Sequence, residues 1–174
     1  MPPEDSNIYL IGYRCTGKTT VGAILAVRLG RTFYDTDAEI AAGENRSITQ
    51  IVADRGWSYF RKLEEACLQH LTRQTKIVAA TGGGIVMNPA NIKHMQTTGT
   101  VIWLTARPET ILARLARDPA TEDSRPALTY QSEEREVVTT LETRHSLYEQ
   151  AADFTVVTDT AGPDEIAGHI LKLI

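Results

Sequence analysis

Cysteine is scarce in this sequence: Cys15 and Cys67 are the two in 174 residues. Two thiols cannot build the disulfide framework on which small secreted folds rely, so the simpler reading is a reducing, cytoplasmic setting. Net positive charge is also missing. The 18 Lys and Arg against 22 Asp and Glu leave the chain at −4, which does not suggest a nucleic-acid-binding surface. An anionic small molecule remains open, because a local arginine cluster can sit on an acidic protein. No apolar run approaches the ~20 residues of a membrane-spanning helix, so no membrane contact is expected. Residues 1–7 lack the charged-then-apolar order of a secretion signal and read as a short frayed tail. There is no internal repeat and no interdomain linker. What is present is an ordinary globular composition, 42% apolar and 23% charged, in a chain long enough to bury a core without staples. One domain over residues 1–174 is expected, and a monomer is the simpler expectation although nothing in the sequence separates it from a dimer.

The strongest local signal is Gly12-Tyr13-Arg14-Cys15-Thr16-Gly17-Lys18-Thr19, a G-x-x-x-x-G-K-T phosphate-binding loop. Its context agrees. The apolar run Ile8-Tyr9-Leu10-Ile11 predicts a buried strand before it. Residues 20–29 predict an amphipathic helix after it, and Gly30 is placed to cap that helix. Such a turn aims backbone N–H groups and the positive end of a helix dipole at an anion. Lys18 can then reach the β- and γ-phosphates, and the Thr19 hydroxyl can ligate Mg²⁺. With Thr20, these residues form the expected nucleotide site.

The rest of the chain alternates. Residues 32–37 read as a second strand ending in Asp35-Thr36-Asp37, and strand alternation puts the two aspartates on one face. Asp37 could equally cap a helix over residues 38–42. Ser47-Ile48-Thr49-Gln50 is a capping box that opens a helix ended by Gly56. A longer helix over residues 57–74 places Arg61 and Glu64 three apart, where the plain reading is a solvated ion pair. Residues 77–81 predict a third strand, followed by Gly82-Gly83-Gly84, which permits positive φ and a close ligand approach. A helix from Pro89, a strand over residues 100–105, a helix from Pro108, a helix over residues 132–150, a strand over residues 154–158 and a closing helix over residues 164–173 complete the chain. Five strands alternating with helices argue a three-layer α/β fold with a parallel sheet. Residues 118–132, with Pro119, Pro126 and few apolar side chains, read as a lid over ATP that brings Arg125 to the phosphates.

Taken together, the phosphate loop, Asp35-Thr36-Asp37, Phe60-Arg61-Lys62-Leu63-Glu64-Glu65, Gly82-Gly83-Gly84, Ser124-Arg125-Pro126 and Arg144-His145-Ser146-Leu147-Tyr148 resemble the shikimate kinases over almost the whole chain. The resemblance implies a P-loop, nucleoside-monophosphate-kinase-like fold with strand order 2-3-1-4-5. It implies transfer of phosphate from ATP, with Mg²⁺, to the 3-hydroxyl of shikimate, giving shikimate 3-phosphate and ADP on the route to chorismate and the aromatic amino acids. By the same likeness Asp37, Arg61, Gly83 and Arg144 bind shikimate, within a segment over residues 35–64 and beyond. Gly82, Gly84 and Glu64 accompany them. Asp35 assists the metal beside Thr19, Lys18 and Arg125 hold phosphates, and Arg114 lies near the adenine. Three positions depart from the family pattern. Cys15 stands where another glycine is frequent, Trp57 where glutamate is common, and Ser146 where proline is usual.

These residue types suit the chemistry. Arg61 and Arg144 can clamp a carboxylate with charge-assisted bidentate bonds. Asp37 can accept hydrogen bonds from ring hydroxyls and take the proton of the attacking one. Glu64 can orient Arg61 or touch a hydroxyl. Lys18, Asp37 and Arg125 are therefore the expected catalytic groups. Other readings are a kinase for another small hydroxy acid such as gluconate, a non-catalytic shikimate-sensing module, and a GTPase, against which the lack of an N-K-x-D-like segment counts.

Overall fold

The computed structural model describes residues 5–118, 126–128 and 132–174. In chain order the elements are β1 (Asn7–Ile11), α1 (Lys18–Leu29), β2 (Thr32–Asp35), α2 (Thr36–Glu44), α3 (Ile48–Leu71), β3 (Ile77–Ala80), a 3₁₀ turn (Ile85–Met87), α4 (Pro89–Thr98), β4 (Gly99–Thr105), α5 (Pro108–Leu115), α6 (Glu133–Ala151), β5 (Phe154–Val157) and α7 (Pro163–Leu173). All five strands are parallel, in the order β2-β3-β1-β4-β5. This is the topology implied by the family likeness.

Strand alternation builds two cores. Tyr9 and Ile11 of β1, Ala79 of β3, and Val101 and Trp103 of β4 face Leu68 and Leu71 of α3, Met95 of α4, and Tyr148 and Ala151 of α6. The intervening residues Ile8, Leu10, Val78, Ile102 and Leu104 face α1 and α7 through Val21, Leu25, Ile166 and Ile170. Strands buried on both faces need apolar side chains at nearly every position, which is why the central strands β1, β3 and β4 read as apolar runs while the edge strands β2 and β5 are partly exposed. The consequence for function is geometric: all the turns that follow the strands open onto one rim, where ligands bind in open parallel sheets.

Local sequence explains most boundaries. Gly30 ends α1 with φ 62°, and Ser47 and Gln50 form the expected capping box of α3. Gly56 interrupts α3 with non-helical φ 78° and ψ 168°, as its place between two helical patterns predicts. One boundary differs from expectation and matters for the site. β2 stops at Asp35, whose Oδ1 accepts from the N–H groups of Asp37 at 3.0 Å and Ala38 at 3.2 Å. Asp35, not Asp37, is the cap. The chain enters α2 at Thr36, two residues before the predicted helix, because the Asp35 carboxylate satisfies the free first-turn donors. Strand alternation therefore does not relate the two aspartates.

Gly12 is fixed by packing as well as by backbone conformation. It adopts φ 138°, and a Cβ there would overlap the backbone carbonyl oxygen of Leu104. That carbonyl belongs to the central sheet and cannot yield. Gly12→Ala should lower stability by about 2 kcal/mol or more, through positive-φ strain and overpacking together. Urea unfolding, followed at constant slope, measures it.

Candidate active site

The phosphate loop is closed on itself. Gly17 is left-handed at φ 96° and offers no side-chain cap, so the first-turn N–H groups of α1 are left for a ligand. Tyr13 contributes the carbonyl that organises the turn: it accepts from Thr16 Oγ1 at 2.8 Å and from Lys18 Nζ at 2.7 Å. Cys15 sits at φ 58°. The loop thus makes a left-handed turn at Cys15, a conformation that glycine would take without strain. Arg114 does not stand free beside the cavity. Its Nη1 donates to the Cys15 carbonyl at 3.0 Å and to Thr158 Oγ1 at 3.1 Å, and its Nη2 donates to the Thr158 carbonyl. It clips the loop to the turn after β5.

Thr19 and Asp35, the two candidate metal ligands, meet: Thr19 Oγ1 donates to Asp35 Oδ2 at 2.6 Å. Two hard oxygens from separate segments, with Asp35 Oδ1 spent on capping α2, would suit a magnesium ion whose other ligands came from phosphates and water.

Behind the loop lies a second group of charges. Gly82, at the end of β3, donates its N–H to Thr36 Oγ1 at 2.9 Å. A Cβ on Gly82 would strike Glu64 Oε1 and lie 2.8 Å from Asp37 Oδ1. These two carboxylate oxygens are enclosed and have no hydrogen-bond partner among the described residues. Burial pushes the Asp37 carboxyl up to about 7. Glu64 and Asp35 add to the rise, and Lys18 and Arg61 oppose it. Burial likewise raises Glu64, against the pull of Arg61.

Glu64 is 1% exposed and its Oε2 pairs with Arg61 Nη1. The solvated i,i+3 pair expected for an isolated helix is therefore corrected, because β3 and its glycines cover this face of α3. The Arg61 guanidinium lies where a Cβ of Gly84 would be, with its Cζ 5.1 Å from the Trp57 ring centroid and 5.7 Å from that of Phe60. Trp57 meets Phe60 edge-on at 5.8 Å. The tryptophan thereby gives the arginine a cation–π face.

On the opposite side, Arg144 is 8% exposed and donates from Nη1 to the Gly83 carbonyl at 3.0 Å. The buried Tyr148 hydroxyl donates to the same oxygen at 2.5 Å. None of Gly82, Gly83 and Gly84 has positive φ among the described glycines. The run is needed for close approach, not for a left-handed turn. At Gly82 and Gly84 the approaching atoms are this chain's own carboxylates and guanidinium. A Cβ at Gly83 would meet nothing closer than the Gly12 carbonyl at 3.5 Å.

These groups line one cavity of about 780 Å³, into which Lys18, Thr19, Asp35, Asp37, Arg61 and Arg144 all open. That lies within the ~300–1,000 Å³ usual for small-molecule sites. Asp118, Pro126 and Leu128 reach its wall. Residues 119–125 and 129–131 of the expected 118–132 lid, Arg125 among them, lie outside the described residues, as do residues 1–4 of the expected frayed tail; Asn7 already belongs to β1. The cavity joins a phosphate-binding turn to a pair of hydrogen-bond-hungry carboxylates flanked by two guanidinium groups.

A family model described as shikimate kinase matches residues 14–174. The chain belongs to the shikimate kinase family. It is 42% identical to the shikimate kinase of Syntrophus aciditrophicus, over 97% of this chain and 91% of that one. Among solved structures it is similar to a shikimate kinase from Acinetobacter baumannii in complex with shikimate, with TM-score 0.90 and 35% identity over 97% of this chain and 92% of that one. A gluconokinase from Sinorhizobium meliloti, 16% identical with TM-score 0.61 over 97% of this chain and 90% of that one, shares the fold alone.

Two groups at the site were not singled out from sequence for the part they play. Trp57 stands out in sequence only as a departure; its contact with Arg61 follows from the helical four-residue spacing that brings them to one face. Tyr148 follows Arg144 by the same spacing and shares its acceptor.

The raised Asp37 carboxyl makes a stability prediction for the ligand-free protein. Between the ordinary aspartate value and about 7 the folded state holds a proton that the unfolded state has lost. Stability therefore falls as pH rises across that window. Asp37→Asn should flatten the fall and leave the variant more stable than the wild type at pH 8, by on the order of 2 kcal/mol. Thermal melts at several pH values between 4 and 8 test this; parallel pH curves for the two proteins would remove the buried-proton account.

Proposed function

We propose that the Asp37–Glu64 pair, Arg61 and Arg144 receive shikimate, and that the chain transfers the γ-phosphoryl group of ATP to its 3-hydroxyl. The observation that carries this reading is the pair of unpartnered carboxylate oxygens at Gly82, set beside two arginines in the cavity of the phosphate loop. A ring with several hydroxyls and one carboxylate satisfies both needs together. Its hydroxyls donate to Asp37 Oδ1 and Glu64 Oε1, and its carboxylate accepts from the free edges of the Arg61 and Arg144 forks.

In the reaction Asp37 orients the attacking hydroxyl. A carboxyl raised to about 7 is matched to taking that proton near neutral pH. Lys18 exchanges the Tyr13 carbonyl for a phosphate oxygen. The backbone of residues 12–19 and the start of α1 hold the remaining phosphates. Mg²⁺, held by Thr19 and Asp35, would neutralise charge on the transferring group. Arg125 is assigned to the phosphates by its place in the family motif, and Arg114 supports the nucleotide side by fixing the loop. The work is positioning and charge stabilisation, since phosphoryl transfer asks little covalent chemistry of the protein. A cytoplasmic monomer is the setting we propose for this reaction: Cys15 and Cys67 form no disulfide with each other, as a reducing compartment requires.

The deciding experiment is coupled ADP release with shikimate, quinate and gluconate side by side. Turnover of shikimate well above the other two is expected. Preference for gluconate would reverse the reading. For the arginines, Arg61→Lys and Arg144→Lys should each weaken shikimate binding about tenfold by calorimetry and leave ATP binding near wild type, because lysine keeps the charge and loses the fork. Trp57→Ala should weaken shikimate about fivefold and Trp57→Phe less, as a cation–π support predicts.

A further inference from the structure

Glu136 has 4% of its surface exposed, in the first turn of α6. A carboxylate so enclosed is unfavourable unless its oxygens are used. Here both are. Oε1 pairs with Arg14 Nη2 at 3.2 Å, and Oε2 accepts from the Leu128 backbone N–H at 2.9 Å. Arg14 is the third residue of the phosphate loop, and its guanidinium lies 5.4 Å from the Tyr13 ring centroid. Leu128 packs with Tyr13, Ile111, Leu115 and Val137. One carboxylate therefore joins the loop, the start of α6 and the chain that enters α6.

The residue after Arg14 is Cys15, which holds φ 58°. A non-glycine residue stays in that region only where its surroundings over-determine it. Two side-chain ties among the described residues contribute to the constraint. Arg114 of α5 holds the Cys15 carbonyl from one side. Glu136 holds Arg14, the adjacent residue, from the other. α6 also carries Arg144 to the Gly83 carbonyl, so the helix that serves the acceptor side braces the nucleotide loop as well.

We infer that Glu136 is a positioning residue for the nucleotide, keeping the phosphate loop in its binding conformation by holding Arg14 against the strained turn at Cys15. The inference rests on the reading of residues 12–19 as the ATP site, and it does not depend on which acceptor is phosphorylated. Its test is calorimetric titration of a non-hydrolysable ATP analogue with Mg²⁺ and no shikimate, beside a separate titration of shikimate.

Glu136→Ala should weaken the analogue at least about fivefold, the factor that about 1 kcal/mol makes, with the shikimate Kd within twofold of wild type. Glu136→Gln keeps the shape and an acceptor for Leu128 but loses the ion pair, and should fall between the two; it serves as well if the alanine variant fails to fold. Adding Cys15→Gly to either variant should recover most of the lost affinity, because glycine takes φ near +60° without strain. A role in general stability predicts no such recovery. The inference is overturned if the analogue Kd of both variants stays within twofold of wild type, if both ligands weaken equally, or if Cys15→Gly restores nothing. A wild-type protein that binds the analogue but phosphorylates no shikimate would sink the proposed reaction and leave this inference standing.

Discussion

Everything at the site depends on how close other groups come to the backbone of Gly82, Gly83 and Gly84. No side chain projects there, so the carboxylates of α2 and α3, the guanidinium of Arg61 and the phosphate loop can all press against one short stretch. Arg144 and Tyr148 of α6 then lock the middle peptide through its carbonyl. Segments far apart in sequence share a single wall. A methyl group at Gly82 or Gly84 would displace the groups assigned to the substrate before it disturbed the fold, whereas one at Gly12 would strike the sheet itself.

The wall holds its charges in an unfinished state. Tyr148 and Arg144 have their acceptor, and Arg61 has Glu64. Asp37 Oδ1 and Glu64 Oε1 have none among the described residues, and both carboxyls are raised by burial. Buried polar atoms without partners are rare in folded proteins because each costs about 1–3 kcal/mol. Two together, enclosed beside the cavity, are a standing cost in the empty protein that a hydrogen-bond donor reaching them would remove. This is how a site gives up stability for binding.

Much of this was legible in the sequence, and the failures have a common cause. The phosphate loop, five strands, the Gly30 and Gly56 breaks and the capping box at Ser47 are local events, set by residues within one or two turns, and the structure keeps them. The strand expected through Asp37 ended early because an Asp35 side-chain bond competed with alternation. Helical spacing predicted that Arg61 and Glu64 meet but not that the glycines after β3 would cover the pair and bury Glu64. The triple glycine was recognisable as special, while its reason, close approach and not positive φ, appears only when α2 and α3 fold over it. Glu136 carried no signal at all: its partner Arg14 is 122 residues away. Pairings of that range leave no periodicity to read.

Donors and acceptors at the site are treated differently, and the difference has a consequence for the order of energetic events. The cations of the nucleotide side are already engaged by the protein: Lys18 and Thr16 share the Tyr13 carbonyl, Arg114 holds Cys15 and Thr158, and Arg14 holds Glu136. A triphosphate must compete with these bonds, so its net gain is the difference between phosphate and carbonyl or carboxylate as a partner. The acceptor oxygens of Asp37 and Glu64 have nothing to give up, so a hydroxyl there gains nearly the whole of a bond that was missing. The loop is kept in shape without its ligand, while the two carboxylate oxygens are kept unsatisfied. Preorganisation on one side and relieved desolvation on the other are complementary ways of directing binding energy to the reacting atoms.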